Sequence, residues 1–146
     1  MDLILWRHAD AESGGPDSAR KLTQRGRDQA GRVSIWLKPR LSVGCEVLVS
    51  SAARAQQTAL ALGLPFVTMP AVGIDASAAD VLAAAGWPNR PGAVVIVGHQ
   101  PTLGRVAAML LSGSEADWEF GKGALWWFVH ASGKIALRAA VDPDLA

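Results

Sequence analysis

Six short apolar runs punctuate the chain, at residues 3–6 (LILW), 46–50 (EVLVS), 66–69 (FVTM), 93–97 (AVVIV), 125–130 (LWWFVH) and 134–141 (KIALRAAV). The first, second and fourth are nearly unbroken, the pattern of parallel strands buried on both faces. Between the runs the apolar period changes to that of a helix. Gly26, Ala30, Val33 and Leu37 share one face of residues 23–38, and Ala55, Ala59 and Leu62 share one face of 53–62. Leu103, Val106, Ala107, Leu110 and Leu111 form a stripe along 101–111, and 77–85 reads as a further short helix. Strands alternating with helices predict a three-layer α/β/α fold with a mostly parallel central sheet. The turn signal ASGK between the last two runs predicts a C-terminal antiparallel hairpin.

Composition narrows the picture. The 146 residues suit one domain, 1–146, and a hydrophobic share of 50% provides a core. No run is long enough to span a membrane. The start, MDLILW, lacks the basic opening and longer apolar stretch of a signal peptide, so a cytoplasmic location is expected. Cys45 is the only cysteine, which excludes an intrachain disulfide and a cysteine-rich zinc site. A net charge of +1 without a dense basic run gives no indication of nucleic-acid binding. SGGPDS (13–18) reads as a short loop, the six tryptophans as core, and His130 as structural or exposed.

The candidate chemistry lies where three buried-type strands end. LILW runs into Arg7-His8, EVLVS into Ser51-Ala52-Ala53-Arg54, and AVVIV into Gly98-His99-Gln100-Pro101. Ligands of parallel α/β sheets bind outside such strand ends. If the three strands are neighbours, Arg7, His8, Arg54 and His99 share one pocket. That set contains no acid, so its like charges call for an anion. Phosphate fits, because guanidinium groups donate paired hydrogen bonds to its oxygens. Arg54 stands in the first turn of its helix, where a cation opposes the helix dipole and a bound anion would relieve it. A metal is not expected there, since the arginines repel a cation and the histidines lack carboxylate or cysteine partners at ligand spacing.

These residues fall in motifs of a known family. LWRHADAE, RKLTQRG (20–26), SSAARAQQTA and VIVGHQP resemble, in order and spacing, the four signatures of the phosphoglycerate mutase-like histidine phosphatase superfamily. The short chain and the GHQP wording look most like its small phosphohistidine phosphatases of the SixA type. The resemblance implies the phosphoglycerate mutase-like fold, no cofactor and no metal. It makes His8 the nucleophile, with Arg7, Arg54 and His99 holding the phosphoryl oxygens and Arg20 a further phosphate or substrate contact. It implies a phosphohistidine-containing protein as substrate, and a pocket that phosphate or sulfate can fill. Alternatives within reach of the same residues are a small-molecule phosphomonoesterase and a phosphate-binding module without turnover.

Three departures from the pattern bear on chemistry. Ala9 replaces the common glycine, and Ala52 the common proline. Ala71 stands at the position, after the third strand, where many members carry a proton-donating acid. An ester with an alcohol leaving group needs such a donor, whereas the imidazole of a phosphohistidine can be protonated before its bond breaks. Asp75 and Asp80 are the nearby acids, and Asp10 and Glu12 follow the nucleophile; none is assigned the role from sequence. The lean stretch 63–92 predicts no cap over the pocket, and so a shallow, open site.

Overall fold

The computed structural model describes residues 1–146. In chain order the elements are β1 (Asp2–Arg7), α1 (Gln24–Leu37), β2 (Glu46–Val49), α2 (Ala53–Leu60), β3 (Val67–Thr68), α3 (Ala78–Ala85), β4 (Ala93–Gly98), α4 (Thr102–Ser112), β5 (Leu125–Ala131) and β6 (Lys134–Val141), with short 3-10 turns between some of them. The strands form one sheet in the order β3-β2-β4-β1-β5-β6. The first four of that order are mutually parallel, and β5 and β6 are antiparallel.

β1 lies between β4 and β5, and Leu3, Ile4, Leu5 and Trp6 are fully buried. Successive side chains of a strand point to opposite faces. Ile4 and Trp6 therefore join one core cluster with Ala30, Val33 and Leu37 of α1 and Ala55 and Ala59 of α2. Leu3 and Leu5 join a second cluster with Val81 of α3 and Leu103, Val106 and Ala107 of α4. The sheet is thus covered on both sides, which is why β1 and β4 read as unbroken apolar runs. The one polar side-chain atom in the buried part of β1, Trp6 Nε1, donates to the Gly123 carbonyl at 3.0 Å.

Local signals set the boundaries. Thr23 caps α1 by accepting from Gly26 N–H, and Ser77 and Asp80 form a reciprocal capping box on α3. Ser132 and Gly133, both at positive φ, make the two-residue hairpin turn between β5 and β6. β3 is shorter than the predicted 66–69. Pro65 and Pro70 bracket it and β2 is its single neighbour, so only Val67 and Thr68 pair, and both are exposed. Pro101, predicted as a helical residue, is instead the N-cap of α4. No helix is long and apolar enough to cross a membrane.

Gly26 has a steric reason. A Cβ there would overlap the Asp10 carbonyl oxygen, which lies directly against α1. Gly26→Ala should therefore force the segment after β1 away from α1. We expect a loss of about 1–3 kcal/mol, read from the denaturant midpoint.

Candidate active site

β2, β4 and β1 are adjacent in the sheet, so their C-terminal ends open on one crevice. His8 follows β1, His99 follows β4, and Arg54 is the second residue of α2, just beyond β2. The two imidazole rings are 5.2 Å apart, centroid to centroid. Arg54 Nε–H donates to His8 Nε2 at 3.3 Å. The residues are deeply set: His8 is 7% exposed, and Arg54 and His99 are 3% exposed. Part of that burial comes from the loop 13–20, whose Asp17 holds Arg54.

The protonation of His8 follows from its partners. Nδ1 is 2.8 Å from the Ala9 carbonyl, an acceptor only, so Nδ1 carries the proton. Nε2 then keeps its lone pair, which Arg54 Nε–H faces. Burial pushes the His8 pKa down to about 4, and the nearby Arg54, Arg7 and Arg20 push the same way against the Ala9 carbonyl. The ring is neutral near pH 7.

His99 is fixed by Ser50. His99 Nε2 is 2.8 Å from Ser50 Oγ, which also accepts Ala52 N–H at 3.2 Å. The fully buried Ser50 hydroxyl has no other acceptor for its own proton, so we assign it as donor to Nε2. His99 Nδ1 then bears hydrogen. Burial first, then His8 and Arg54, lower the His99 pKa to about 3. Two buried side-chain nitrogens have no hydrogen-bond partner in the protein, and they are His99 Nδ1 and Arg7 Nε. Arg7 Nη1 donates to the Phe120 carbonyl at 2.6 Å, leaving Nε unmatched. At the head of α2, Ala52 supplies no side-chain cap.

One expectation changes. The sequence reading left the cluster without an acid, but Asp17 supplies one from the loop 13–20. Arg54 Nη1 donates to the Asp17 carbonyl at 2.8 Å, and Nη2 pairs with its carboxylate at 3.2 Å. Arg20 makes no hydrogen bond to the histidines. It pairs with Asp17 at 3.0 Å and donates to the Glu12 carbonyl at 3.2 Å, so it steadies the residue that holds Arg54. The Asp17 carboxyl is held below the usual range, first by its hydrogen bond from Arg54, which makes it a poor proton donor.

The other acids are largely engaged. Asp10 accepts from Thr23 Oγ1 at 2.7 Å and pairs with Lys122 at 2.8 Å. Asp80 is committed to the Ser77 cap, while Asp75 lies in a turn before α3 and Ala71 in the 3-10 turn Pro70–Val72. Glu12 follows the isolated bridge Ala11–Leu22.

The remaining motif residues lock the frame. Thr58 Oγ1 accepts Ala9 N–H at 3.0 Å and donates to the Arg54 carbonyl at 2.7 Å, tying the segment after β1 to α2. Gln57 Oε1 accepts Leu22 N–H at 2.7 Å, and Gln29 Oε1 accepts Asp10 N–H at 2.9 Å. Sequence reasoning missed Asp17, Ser50, Gln29, Gln57 and Thr58 as site residues. Ser50, Gln57 and Thr58 lay inside a quoted motif, while Asp17 had no signal beyond its place three residues before Arg20.

No protein-family model and no curated protein matches the sequence. Solved structures do. The protein histidine phosphatase SixA complexed with tungstate is 28% identical with a TM-score of 0.85, over 99% of this chain and 98% of that one. An Agrobacterium tumefaciens protein assigned as phosphohistidine phosphatase SixA superposes with a TM-score of 0.81 at 22% identity, over 97% of each chain. The α-ribazole phosphatase of Shigella flexneri shares the fold at a TM-score of 0.70 and 19% identity, over 98% of this chain and 97% of that one. In fold and in motifs the chain resembles the histidine phosphatase superfamily, whose members named here are phosphatases. Within it, the likeness is to the small phosphohistidine phosphatases of the SixA type.

The two buried histidines couple the site to stability. Folded, they stay neutral down to about pH 4 for His8 and about 3 for His99, whereas an unfolded histidine titrates near ~6.5. Between those values the unfolded chain binds more protons. Stability is therefore full above about 6.5 and falls as pH drops toward 4, by on the order of 3 kcal/mol through His8 alone. Urea unfolding at pH 7 and 4.5 should show this loss, and His8→Ala should make it smaller.

Proposed function

We propose that the protein is a phosphohistidine phosphatase that removes phosphate from a phosphorylated histidine of another protein through a phosphoryl group carried on His8. The observation that carries this reading is the pair of buried, unmatched nitrogens, His99 Nδ1 and Arg7 Nε, beside a histidine whose unprotonated Nε2 meets only a long 3.3 Å contact from Arg54 Nε–H. Buried polar groups are normally satisfied, and phosphoryl oxygens are acceptors that suit both. The tungstate held by the SixA structure, a phosphate analogue, supports the same anion class.

In the first step the His8 Nε2 lone pair attacks phosphorus. The substrate's P–N bond breaks, and its electron pair returns to the nitrogen that carried the phosphoryl group; the substrate ring, already protonated on its other nitrogen, leaves as neutral imidazole. His8 now bears a phosphoryl group on Nε2 and a proton on Nδ1, and the Ala9 carbonyl stabilises that cationic ring. Water then attacks the phosphorus, the His8–phosphorus bond breaks back to Nε2, and inorganic phosphate leaves. Arg7, Arg54 and His99 donate to the equatorial oxygens throughout, so positioning and fixed charge supply most of the catalysis. Asp17 holds Arg54 in place, and Arg20 holds Asp17. Ala71 lies in the 3-10 turn and Asp10, Asp17 and Asp80 are committed to other partners, which supports a leaving group that needs little help from acids at those positions.

Phosphate release from a phosphohistidine peptide and from p-nitrophenyl phosphate tests the proposal. The peptide should be hydrolysed much faster than the ester. His8→Ala should lose turnover and the acid-labile phosphoryl group seen on His8 by mass spectrometry. Arg54→Ala and His99→Ala should each lower kcat by about 10²–10³. Full activity in His8→Ala, or faster turnover of the ester, would overturn it.

A further inference from the structure

A second recess of about 380 Å³ opens beside the phosphoryl site, lined by Arg7, Gln100, Pro101, Asp117, Trp118 and Glu119. Arg7 is common to both. The opposite wall comes from residues 115–121, which have no regular secondary structure yet are firmly pinned. Gln100 Nε2 donates to the Trp118 carbonyl at 2.9 Å, and Gln100 Oε1 accepts Gly104 N–H at 2.8 Å. A Cβ on Gly104 would overlap the Trp118 carbonyl oxygen, so α4 admits this wall only because residue 104 is glycine. Arg7 holds the Phe120 carbonyl, and the Phe120 ring stacks on Trp126 at 4.6 Å.

The wall is chemically one-sided. Asp117 and Glu119 are both exposed, and Asp117 stays 66% exposed while paired with Arg105 at 2.6 Å. Glu119 makes no ion pair, but its charge acts on Arg7 and raises the Arg7 pKa against the larger lowering from burial. Trp118, partly buried and part of the recess lining, stands between the two acids in sequence. Such a surface attracts ammonium and guanidinium groups, through charge and through the indole face. It also repels acidic segments that the arginines of the phosphoryl site would otherwise draw in.

We propose that this groove is the docking surface for the polypeptide flanking the substrate phosphohistidine, and that it selects a flank rich in lysine or arginine, with Glu119 as the specificity-determining residue. The inference rests on the phosphohistidine reading above and adds to it the charge of the partner. The wall is already in place, so docking orders little protein, and the partner's phosphoryl group and basic flank meet opposite charges on the two sides of Arg7.

Two phosphohistidine peptides of equal length, one flanked by lysines and one by glutamates, test the groove. The wild type should show a kcat/KM about fivefold or more higher for the lysine peptide at low salt, shrinking as ionic strength rises. Glu119→Gln should bring the ratio toward unity and Glu119→Lys should reverse it. Asp28→Asn, on the exposed face of α1, should leave it unchanged. Equal rates for the two peptides in the wild type, or a preference that survives Glu119→Lys, would overturn the groove. Binding of the same peptides to His8→Ala, followed by fluorescence, reads the ratio without turnover. If neither peptide is hydrolysed, the phosphohistidine reading fails, and the binding ratio still decides for or against the groove.

Discussion

The site depends on keeping one histidine neutral in the company of buried cations. His8 can present a lone pair only if Nε2 stays unprotonated, and the fold enforces this twice. Burial penalises the charged ring, and Arg54, Arg7 and Arg20 add repulsion. The same cations that would bind a phosphoryl group thus hold the proposed nucleophile ready. Arg54 links the two effects most directly, since its Nε–H points at the Nε2 lone pair. A buried guanidinium is itself costly, and that cost explains Asp17. Its carbonyl and carboxylate occupy the outer edge of Arg54, leaving the inner edge toward His8.

Holding these groups in register is the work of the scaffold. β1 lies in the middle of the sheet beside β4, and its end is fixed from three sides. His8 N–H donates to the Gly98 carbonyl at the end of β4, the His8 carbonyl accepts from Gly123 N–H, and Ala9 N–H is held by Thr58. Thr58 Oγ1 also donates to the Arg54 carbonyl, so the backbones of the segment after β1 and of α2 are held together. Ser50 does the equivalent for His99, orienting its ring and fixing its tautomer. Each of these supports is one hydrogen bond, but together they leave the reacting edge little freedom, which is what transition-state stabilisation by fixed dipoles requires.

The sheet and its two covering layers were legible because burial leaves a period in the sequence. β1 and β4, covered on both faces, produced unbroken apolar runs, and α1, α2 and α4 produced stripes. β3 was overestimated because an apolar run says nothing of whether a partner strand reaches all of it. The convergence of His8, Arg54 and His99 was legible from chain position, since strand ends are fixed by the topology. Asp17 was not, because its role depends on how a glycine-rich loop folds back over α2, and no periodicity encodes that path. Trp118 shows the same limit. Trp6 and Trp127 are core, as a tryptophan count suggests, but Trp118 lies at the rim of a groove because Gly104 lets its carbonyl approach α4.

The burial of the site draws on those same two loops. A chain of this length has no sequence to spare for a separate cap, and 63–92 holds only β3, a turn and α3. Cover comes instead from segments that belong to the core's own connections. Residues 13–20 close over Arg54 through Asp17, and 115–121 close against Arg7 through the Phe120 carbonyl. The first brings a carboxylate that balances the phosphoryl site from outside, while the second leaves Glu119 without an ion-pair partner along its flank. His8 is thereby buried, while a recess of about 380 Å³ stays open beside Arg7. Under the proposed phosphohistidine reading, a buried phosphoryl site beside an open, charged groove suits a phosphoryl group carried on the side chain of another protein.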